Sequence, residues 1–187
     1  MKKTDLRKKY NKLRNELKQN QIEQYSEAIF NNLLQLDIWT KESFHIFLTM
    51  KDKKEIDTSL ISRELWKNNK LVSTSVSNFE NNTLENYRYT ISTKIEINSW
   101  GIPEPIEAEL INDKEIDVVF IPLLAFDKRG YRVGYGKGFY DRFLANCKPD
   151  VIKIGISFFE VEEEIDDVHE ADVKLDYCVT AKSTYDF

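Results

Sequence analysis

Hydrophobic and polar positions repeat with a helical period over the first 36 residues. Apolar side chains recur there every three or four positions, which is the spacing of one buried helix face. The repeat begins with Leu6, Tyr10, Leu13 and Leu17. We therefore expect two helices, one starting at Thr4 and a second from about Ile22 to Leu36.

Short apolar runs rich in aromatic and branched residues occupy much of the remaining chain and predict buried strands. These runs are 43–49, 70–76, 87–93, 116–121, 152–158 and 177–180. Helices are predicted from Asp57 or Thr58 through Trp66, and from Tyr140 to about Cys147. The polar residues 77–86 predict a loop, and the prolines of residues 100–105 exclude a regular helix or a central strand there.

Helices that alternate with buried strands predict a sheet covered on both faces. The expected fold class is therefore α/β, as a three-layer α/β/α arrangement with a mostly parallel or mixed central sheet. The chain has 187 residues, no internal repeat and no clear linker, so residues 1–187 are expected to form a single domain.

Charge and cysteine content narrow the class of protein. A net charge of -5 argues against a dedicated nucleic-acid partner. Cys147 and Cys178 have no pairing or ligand spacing, which predicts buried thiols in a reducing compartment. No apolar run approaches the roughly 20 residues of a membrane span, and no apolar leader is visible, so we expect a cytoplasmic protein without a membrane partner. His45 lies within a strand pattern and is expected to be a core histidine.

Candidate chemistry concentrates between the strand at 116–121 and the helix at Tyr140. Four of the six glycines lie there, at Gly130, Gly134, Gly136 and Gly138. Backbone N–H groups of such a loop, together with a helix N-terminus, form an anion site. Nearby positive charge comes from Lys128, Arg129, Arg132 and Lys137. The segment predicts polyphosphate binding; a flexible turn is the alternative, but glycines, bases and aromatic residues are interleaved more densely than a turn requires.

Two generic nucleotide motifs fail at this segment. A phosphate-binding loop of the Walker type needs Ser or Thr after its lysine, whereas Gly138 follows Lys137. The spacing of Gly134, Gly136 and Gly138 also differs from the dinucleotide fingerprint and lies late in the chain. A nicotinamide-dependent enzyme is therefore disfavoured.

Residues 122–142, from Pro122 to Arg142, resemble the signature of the 5-formyltetrahydrofolate cyclo-ligases (methenyltetrahydrofolate synthetases) nearly position for position. Weaker matches to the family occur at 3–7, 47–50, 55–58, 100–105 and 172–176, in the same order along the chain as in the family. The resemblance therefore spans essentially the whole chain. One departure is the loop 51–54 between Met50 and Glu55, which is longer than the family pattern leads us to expect.

The resemblance implies an enzyme that converts 5-formyltetrahydrofolate and MgATP into 5,10-methenyltetrahydrofolate, ADP and phosphate. ATP would be the co-substrate and Mg²⁺ the cofactor, and the protein would be a monomer with reduced folate and ATP as its small-molecule partners. Phosphoryl transfer to the formyl oxygen would make it a good leaving group, after which the folate N10 would close the ring.

The resemblance also assigns residues to the two substrates. The implied ATP-binding residues are Lys3, Arg7, Arg132, Gly134, Tyr135, Gly136, Lys137, Gly138, Phe139 and Tyr140. The implied folate-binding residues are Leu48, Met50, Glu55, Trp100, Tyr135, Gly136, Lys137, Gly138 and Phe139. Asp141 and Asp172 would bind the metal, and Arg132, Lys137 and Asp141 would be catalytic; Tyr135 and Lys137 vary within the family.

Two other readings of the same residues remain open. An ATP-dependent kinase or ligase acting on another small molecule would keep the glycine-rich loop and the metal carboxylates but change the pocket. A binding module that has lost turnover would bind nucleotide or folate without reaction.

Overall fold

The computed structural model describes residues 1–187 and contains four α-helices. They are α1 (Lys3–Glu16), α2 (Gln19–Leu33), α3 (Ser59–Lys67) and α4 (Phe139–Asn146). Leu6 and Tyr10 of α1 and Ile22 and Leu33 of α2 are buried, which confirms the two helices predicted from the spacing of apolar residues. None of these helices combines the length and apolarity that a membrane span requires.

Eight of the twelve strands form one mixed sheet in the order β12-β11-β10-β7-β1-β2-β3-β6. The strands of the chain are β1 (Ser43–His45), β2 (Leu71–Asn78), β3 (Thr83–Arg88), β4 (Lys94–Ile97), β5 (Pro103–Ile106), β6 (Leu110–Ile111), β7 (Val118–Pro122), β8 (Ala125–Phe126), β9 (Arg132–Val133), β10 (Ile152–Ile156), β11 (Tyr177–Val179) and β12 (Thr184–Asp186). The strands from β11 to β2 in this order pair in parallel, and β12, β3 and β6 add antiparallel edges.

Side chains alternate along β7 between two separate hydrophobic cores. Val118 and Phe120 pack with residues of α2 and α3, whereas Val119 and Ile121 pack with Phe143 of α4. A strand whose two faces are both buried needs helices on each side. The three-layer α/β/α arrangement predicted from the sequence is therefore confirmed.

A third, smaller core attaches α1 to the remainder of the molecule. Leu6 and Tyr10 pack against Leu124, Val133 and Ile165, which belong to the β8–β9 hairpin and the acidic segment after β10. This packing brings the N-terminal helix next to the segment between β9 and α4 that the sequence marked as glycine-rich.

The loop predicted at residues 77–86 is confirmed only for the turn at 79–82, and the residues on either side of it belong to strands. β2 continues to Asn78 and β3 begins at Thr83, so the polar stretch is an antiparallel hairpin with Ser77 opposite Leu84. Its strands lie toward one edge of the sheet and carry polar side chains that are either exposed, as Asn78 is, or buried and hydrogen-bonded, as Asn86 is to Ser75 and Asp113. Their apolar alternation is therefore weak. The strand predicted at 87–93 ends at Arg88, and a turn closes instead with a hydrogen bond from Thr93 N to Thr90 O.

The proline-containing segment behaves as its composition requires. β5 carries Pro103 and Pro105 and pairs only with β4, in a two-stranded sheet outside the main one. His45 is fully buried in β1, and its Nε2 lies 2.8 Å from the hydroxyl of Ser75, as expected of a core histidine. Burial lowers its pKa to about 3, so the ring is neutral.

Candidate active site

A cavity of about 560 Å³ opens at the carboxyl ends of the central parallel strands, where α/β sheets bind ligands. The segment that follows β1 and the last residue of β7, Pro122, form part of its wall, together with the glycine-rich segment and the N-terminal helix. Every residue that the family resemblance assigned to the site lines this one cavity. They are Lys3, Arg7, Leu48, Met50, Glu55, Trp100, Arg132, Gly134, Tyr135, Gly136, Lys137, Gly138, Phe139, Tyr140, Asp141 and Asp172.

The glycine-rich loop, residues 134–138, connects β9 to α4 through two left-handed backbone conformations. Gly136 has φ of 94° and Gly138, which precedes the first turn of α4, has φ of 71°. Residues with a side chain rarely adopt these backbone angles, so glycine is required at both positions for the loop to lead into α4. The first N–H groups of α4 have no intrahelical acceptor and can therefore bind an anion.

Arg7 connects α1 to the glycine-rich loop. Its Nε donates to the carbonyl oxygen of Gly134 at 2.9 Å. A Cβ atom added at Gly136 would lie 3.1–3.2 Å from atoms of the Arg7 guanidinium, closer than ordinary contact. Glycine at this position therefore provides the space in which Arg7 approaches the loop.

The acidic residues after β10 hold α1 in this position. Glu162 accepts hydrogen bonds from Lys9 Nζ at 2.5 Å and from the Tyr10 hydroxyl at 2.6 Å, and Asp167 accepts one from the backbone N of Lys3 at 2.6 Å. From the sequence alone, this segment is only a run of acidic residues. Its role in holding α1 was not predictable, because it depends on hydrogen bonds to residues more than 150 positions away in the chain.

Arg132 is a buried cation in the wall of the cavity. Its side chain is 7% exposed, and Nη2 donates to Oδ1 of Asp141 at 2.7 Å while Nη1 donates to the carbonyl oxygen of Val173. Burial lowers the pKa of Arg132, and the neighbouring Asp141 carboxylate opposes that shift.

Asp172 accepts hydrogen bonds from Lys3 Nζ and from the backbone N of His169. Burial alone would raise the pKa of Asp172, but these bonds outweigh burial, so its pKa is lowered.

Asp141 and Asp172 have the chemistry that Mg²⁺ requires, although both also bind protein cations. The hydrogen bonds of Asp141 fall on Oδ1 and those of Asp172 on Oδ2, which leaves one oxygen of each carboxylate without a protein partner. No group of three or more His, Cys, Asp or Glu side chains gathers at a single point. A Mg²⁺ ion here would thus need phosphate oxygens and water to complete its coordination, which is how this ion usually binds.

Glu55 is a buried carboxylate that also lines the cavity. It is 5% exposed, and it accepts hydrogen bonds from the backbone N of Met50 at 2.9 Å and from the hydroxyl of Tyr135. Burial raises its pKa, against the opposing effects of Tyr135, Met50, Arg14 and Lys53.

The long loop 51–54 explains how Glu55 reaches this place. Lys51–Lys53 form one 3₁₀ turn, and Lys54 follows with φ of 50°. Lys54 Nζ then donates to the carbonyl oxygens of Asn15 and Leu17, both at 2.6 Å, at the end of α1. The additional residues therefore anchor the loop to α1 and direct Glu55 into the protein.

An aromatic wall closes the cavity on the side of the β2–β3 hairpin. Trp100 stacks on Phe79 with ring centroids 4.9 Å apart, and Phe79 meets the edge of Phe139 at 5.4 Å. Trp100 nevertheless remains 66% exposed, as a side chain at the rim of an open site would be. Phe79 was missed because it lies in the segment predicted as a loop, and recognition of the hairpin could have found it.

Arg14 was also missed, although its contacts place it beside Glu55. It lies on α1 two turns after Arg7, is 6% exposed, and donates from Nη1 to the hydroxyl of Tyr135 at 3.0 Å. Its position on the buried face of the first predicted helix was the only available signal.

The fold and the cavity define an α/β enzyme that acts on small molecules. The features that place it in this class are a mixed sheet, a glycine-rich loop at its ligand-binding edge, and a cavity lined by several cations and a buried carboxylate. The chain belongs to the 5-formyltetrahydrofolate cyclo-ligase family, whose sequence model matches residues 1–181.

Individual relatives agree with this assignment. The chain is 33% identical over 161 residues to the 5-formyltetrahydrofolate cyclo-ligase of Haemophilus influenzae, an alignment that covers 84% of this chain and 86% of that protein. It is 35% identical over 109 residues to the mouse enzyme of the same name, but this alignment spans about half of each protein, 54% and 53%. The solved structure of Aquifex aeolicus 5,10-methenyltetrahydrofolate synthetase superimposes with a TM-score of 0.82 and 30% identity, over 100% of this chain and 93% of that one.

Proposed function

We propose that this enzyme converts 5-formyltetrahydrofolate and MgATP into 5,10-methenyltetrahydrofolate, ADP and phosphate. The observation that carries the proposal is a single cavity lined by two chemically different sets of residues. One set contains cations and backbone donors suited to a triphosphate, and the other contains a buried carboxylate with aromatic and apolar side chains. The activities for which the related enzymes are named supply the folate substrate and the ring closure.

ATP is assigned to the side formed by α1 and the glycine-rich loop. Lys3 and Arg7 would reach the phosphates from α1, Arg132 from β9 and Lys137 from the glycine-rich loop. The backbone donors of residues 134–140 would surround the same groups, with Tyr135, Phe139 and Tyr140 bordering the nucleotide. These contacts offset the charge that develops during phosphoryl transfer, which is the main requirement in that chemistry.

Mg²⁺ is assigned to Asp141 and Asp172. When bound, the ion would supply charge neutralisation to the triphosphate. The chain's own contribution is to hold both carboxylates beside the Arg132 guanidinium, with one oxygen of each left available.

The folate is assigned to the side that contains Glu55. A carboxylate accepts two parallel N–H donors from a guanidine-like edge, which the pterin ring of a reduced folate presents. Leu48, Met50, Trp100 and Phe139 would cover the apolar parts of the ring system. Tyr135, Lys137 and the backbone of residues 136 and 138 border both sides, where the two substrates would meet.

The reaction follows from this arrangement in two steps. The formyl oxygen attacks the γ-phosphorus of ATP, so that the bond to ADP breaks and an oxygen–phosphorus bond forms. The folate N10 then attacks the activated formyl carbon, a proton leaves N10, and phosphate departs with the former formyl oxygen. Catalysis here consists mainly in aligning two substrates and neutralising phosphate charge, and we assign this task to Arg132, Lys137 and Asp141.

A turnover assay tests the proposal. The near-ultraviolet absorbance of methenyltetrahydrofolate should increase when protein, 5-formyltetrahydrofolate, ATP and Mg²⁺ are mixed, with many equivalents formed per protein. Omission of ATP should abolish the increase. A binding module without turnover, or a kinase or ligase for another small molecule, would give no product from this substrate, and either outcome would exclude the proposal. The other expectations, a cytoplasmic monomer with no nucleic-acid or membrane partner, stay predictions.

A further inference from the structure

Arg14 is a buried cation whose partners are neutral. It is 6% exposed, and its hydrogen bonds go to the hydroxyl of Tyr135 at 3.0 Å and to Oδ1 of Asn11 at 3.3 Å. Its Nε has no hydrogen-bond partner in the protein. Arginine is almost never buried without a carboxylate unless something nearby compensates its charge.

The compensating charge is Glu55, which Arg14 reaches through one hydroxyl group. Tyr135 donates its proton to Oε1 of Glu55 and accepts a hydrogen bond from Nη1 of Arg14. The guanidinium also lies over the Tyr135 ring, 5.5 Å from its centroid. Cation, hydroxyl and carboxylate thus form a continuous chain from α1 to the folate side of the cavity.

We propose that Arg14 is a positioning residue for the folate reaction, which keeps Glu55 ionised and oriented through the Tyr135 hydroxyl. The inference rests on the proposed role of Glu55 as the acceptor for the folate's N–H donors. A carboxylate in this role must be charged, whereas its burial favours the neutral acid. Arg14 opposes that tendency without touching the substrate.

Four neighbouring side chains interact with the charge of Glu55 and determine how its pKa is shifted. They are Tyr135 of the loop, Arg14 of α1, Lys53 of the 3₁₀ turn and Tyr140 of α4. Burial raises the pKa of Glu55, while Tyr135, Arg14 and Lys53 lower it. Removal of the Arg14 charge therefore raises this pKa further, and the carboxylate is lost at a higher pH.

The decisive experiment measures kcat and KM for each substrate from pH 5 to 9 in Arg14→Met and in the wild type. We expect the KM for 5-formyltetrahydrofolate to rise about tenfold, as for the loss of one hydrogen bond to a charged group, while the KM for ATP changes less than about twofold. The acid limb of kcat/KM for folate should move up by about one pH unit. Arg14→Lys, which keeps the charge, should restore the acid limb.

Two further variants separate a positioning role from a structural one. Arg14→Gln keeps N–H donors but has no charge, and it decides the question if Arg14→Met does not fold; its acid limb should move in the same direction. Arg63→Met removes an exposed arginine from α3 and should leave both substrates and the pH profile unchanged. An unmoved acid limb in a folded, uncharged Arg14 variant overturns the inference, as does an equal loss of affinity for ATP and folate.

Glu55→Gln distinguishes failure of this inference from failure of the proposed function. If Glu55→Gln leaves the KM for folate unchanged, the folate assignment itself is wrong. If Glu55→Gln weakens folate and abolishes the acid limb while the Arg14 variants behave as wild type, only the role of Arg14 is wrong.

Discussion

Replacement of Arg132 by methionine is the perturbation whose consequences the structure defines best. The guanidinium is 7% exposed and pairs with Asp141, which is 29% exposed. Removal of one partner from a buried ion pair costs about 3–5 kcal/mol of folding stability, and the partial exposure of Asp141 favours the lower figure of about 3 kcal/mol. For a domain of this size that loss lowers the melting temperature by about 6–12 °C.

The same variant should affect ATP more than folate. One hydrogen bond to a charged group contributes about 1.5–3 kcal/mol, so the KM for ATP should rise about 10- to 150-fold. The KM for folate should change little, because folate is assigned to Glu55 and the aromatic wall and not to Arg132. Steady-state kinetics with each substrate varied in turn, together with thermal unfolding, measure both effects.

Arg88→Met is the matched control, because Arg88 forms an ion pair with Glu109 in which both side chains are more than half exposed. An exposed ion pair contributes about 0–1 kcal/mol to folding stability. Arg88→Met should therefore have little effect on stability and should change neither the KM for ATP nor the KM for folate. Equal losses of affinity for ATP and folate in Arg132→Met would refute the assignment of Arg132 to the phosphate side. A variant with unchanged stability would refute the buried ion pair.

Three further predictions concern the metal, the loop and the acidic segment. Asp141→Asn should raise the Mg²⁺ concentration needed for half-maximal activity and lower turnover; unchanged activity at limiting Mg²⁺ would contradict its role. Gly136→Ala introduces strain at φ of 94° and crowds Arg7, so ATP should bind more weakly in equilibrium titration, whereas Gly101→Ala, with φ of 78° but open space around it, should not affect ATP binding. Burial raises the pKa of Glu162, but its bonds to Lys9 and Tyr10 outweigh burial and the net pKa is lowered from 4.5. A carboxylate whose pKa is lower in the folded than in the unfolded protein stabilises the fold at high pH, and this stabilisation is lost as the pH falls below about 4.5. In urea titrations, the free energy of unfolding of Glu162→Gln should therefore fall less steeply with decreasing pH than that of the wild type. The same dependence on pH in both proteins would exclude the contact.

The parts of the molecule that could be predicted from sequence are those specified by nearby residues. The helical spacing from Leu6 to Leu33 and the apolar run of β7 specify their elements locally, and both were predicted. The glycine-rich loop was recognisable for the same reason, because turn, charge and helix start lie within about ten consecutive positions.

Features that depend on distant pairing were not predictable. The β2–β3 hairpin pairs polar residues whose strand character comes from their neighbours in the sheet, so the hairpin that brings the turn residue Phe79 to the cavity was not predicted. Arg14 looks like any arginine on an amphipathic helix until Tyr135, 121 positions away, is brought against it. The acidic segment after β10 acquires its structural role, which is to hold α1 in place, only when α1 packs against it in the folded protein.

The oxygen of the formyl group provides the most direct test of the central claim, that ATP and folate meet in this cavity for phosphoryl transfer. 5-Formyltetrahydrofolate labelled with ¹⁸O in the formyl group is converted in the presence of ATP and Mg²⁺, and the released phosphate is analysed by mass spectrometry. The account predicts one ¹⁸O atom in each phosphate and one ADP per methenyltetrahydrofolate. Unlabelled phosphate, or product formed without ADP, would contradict it.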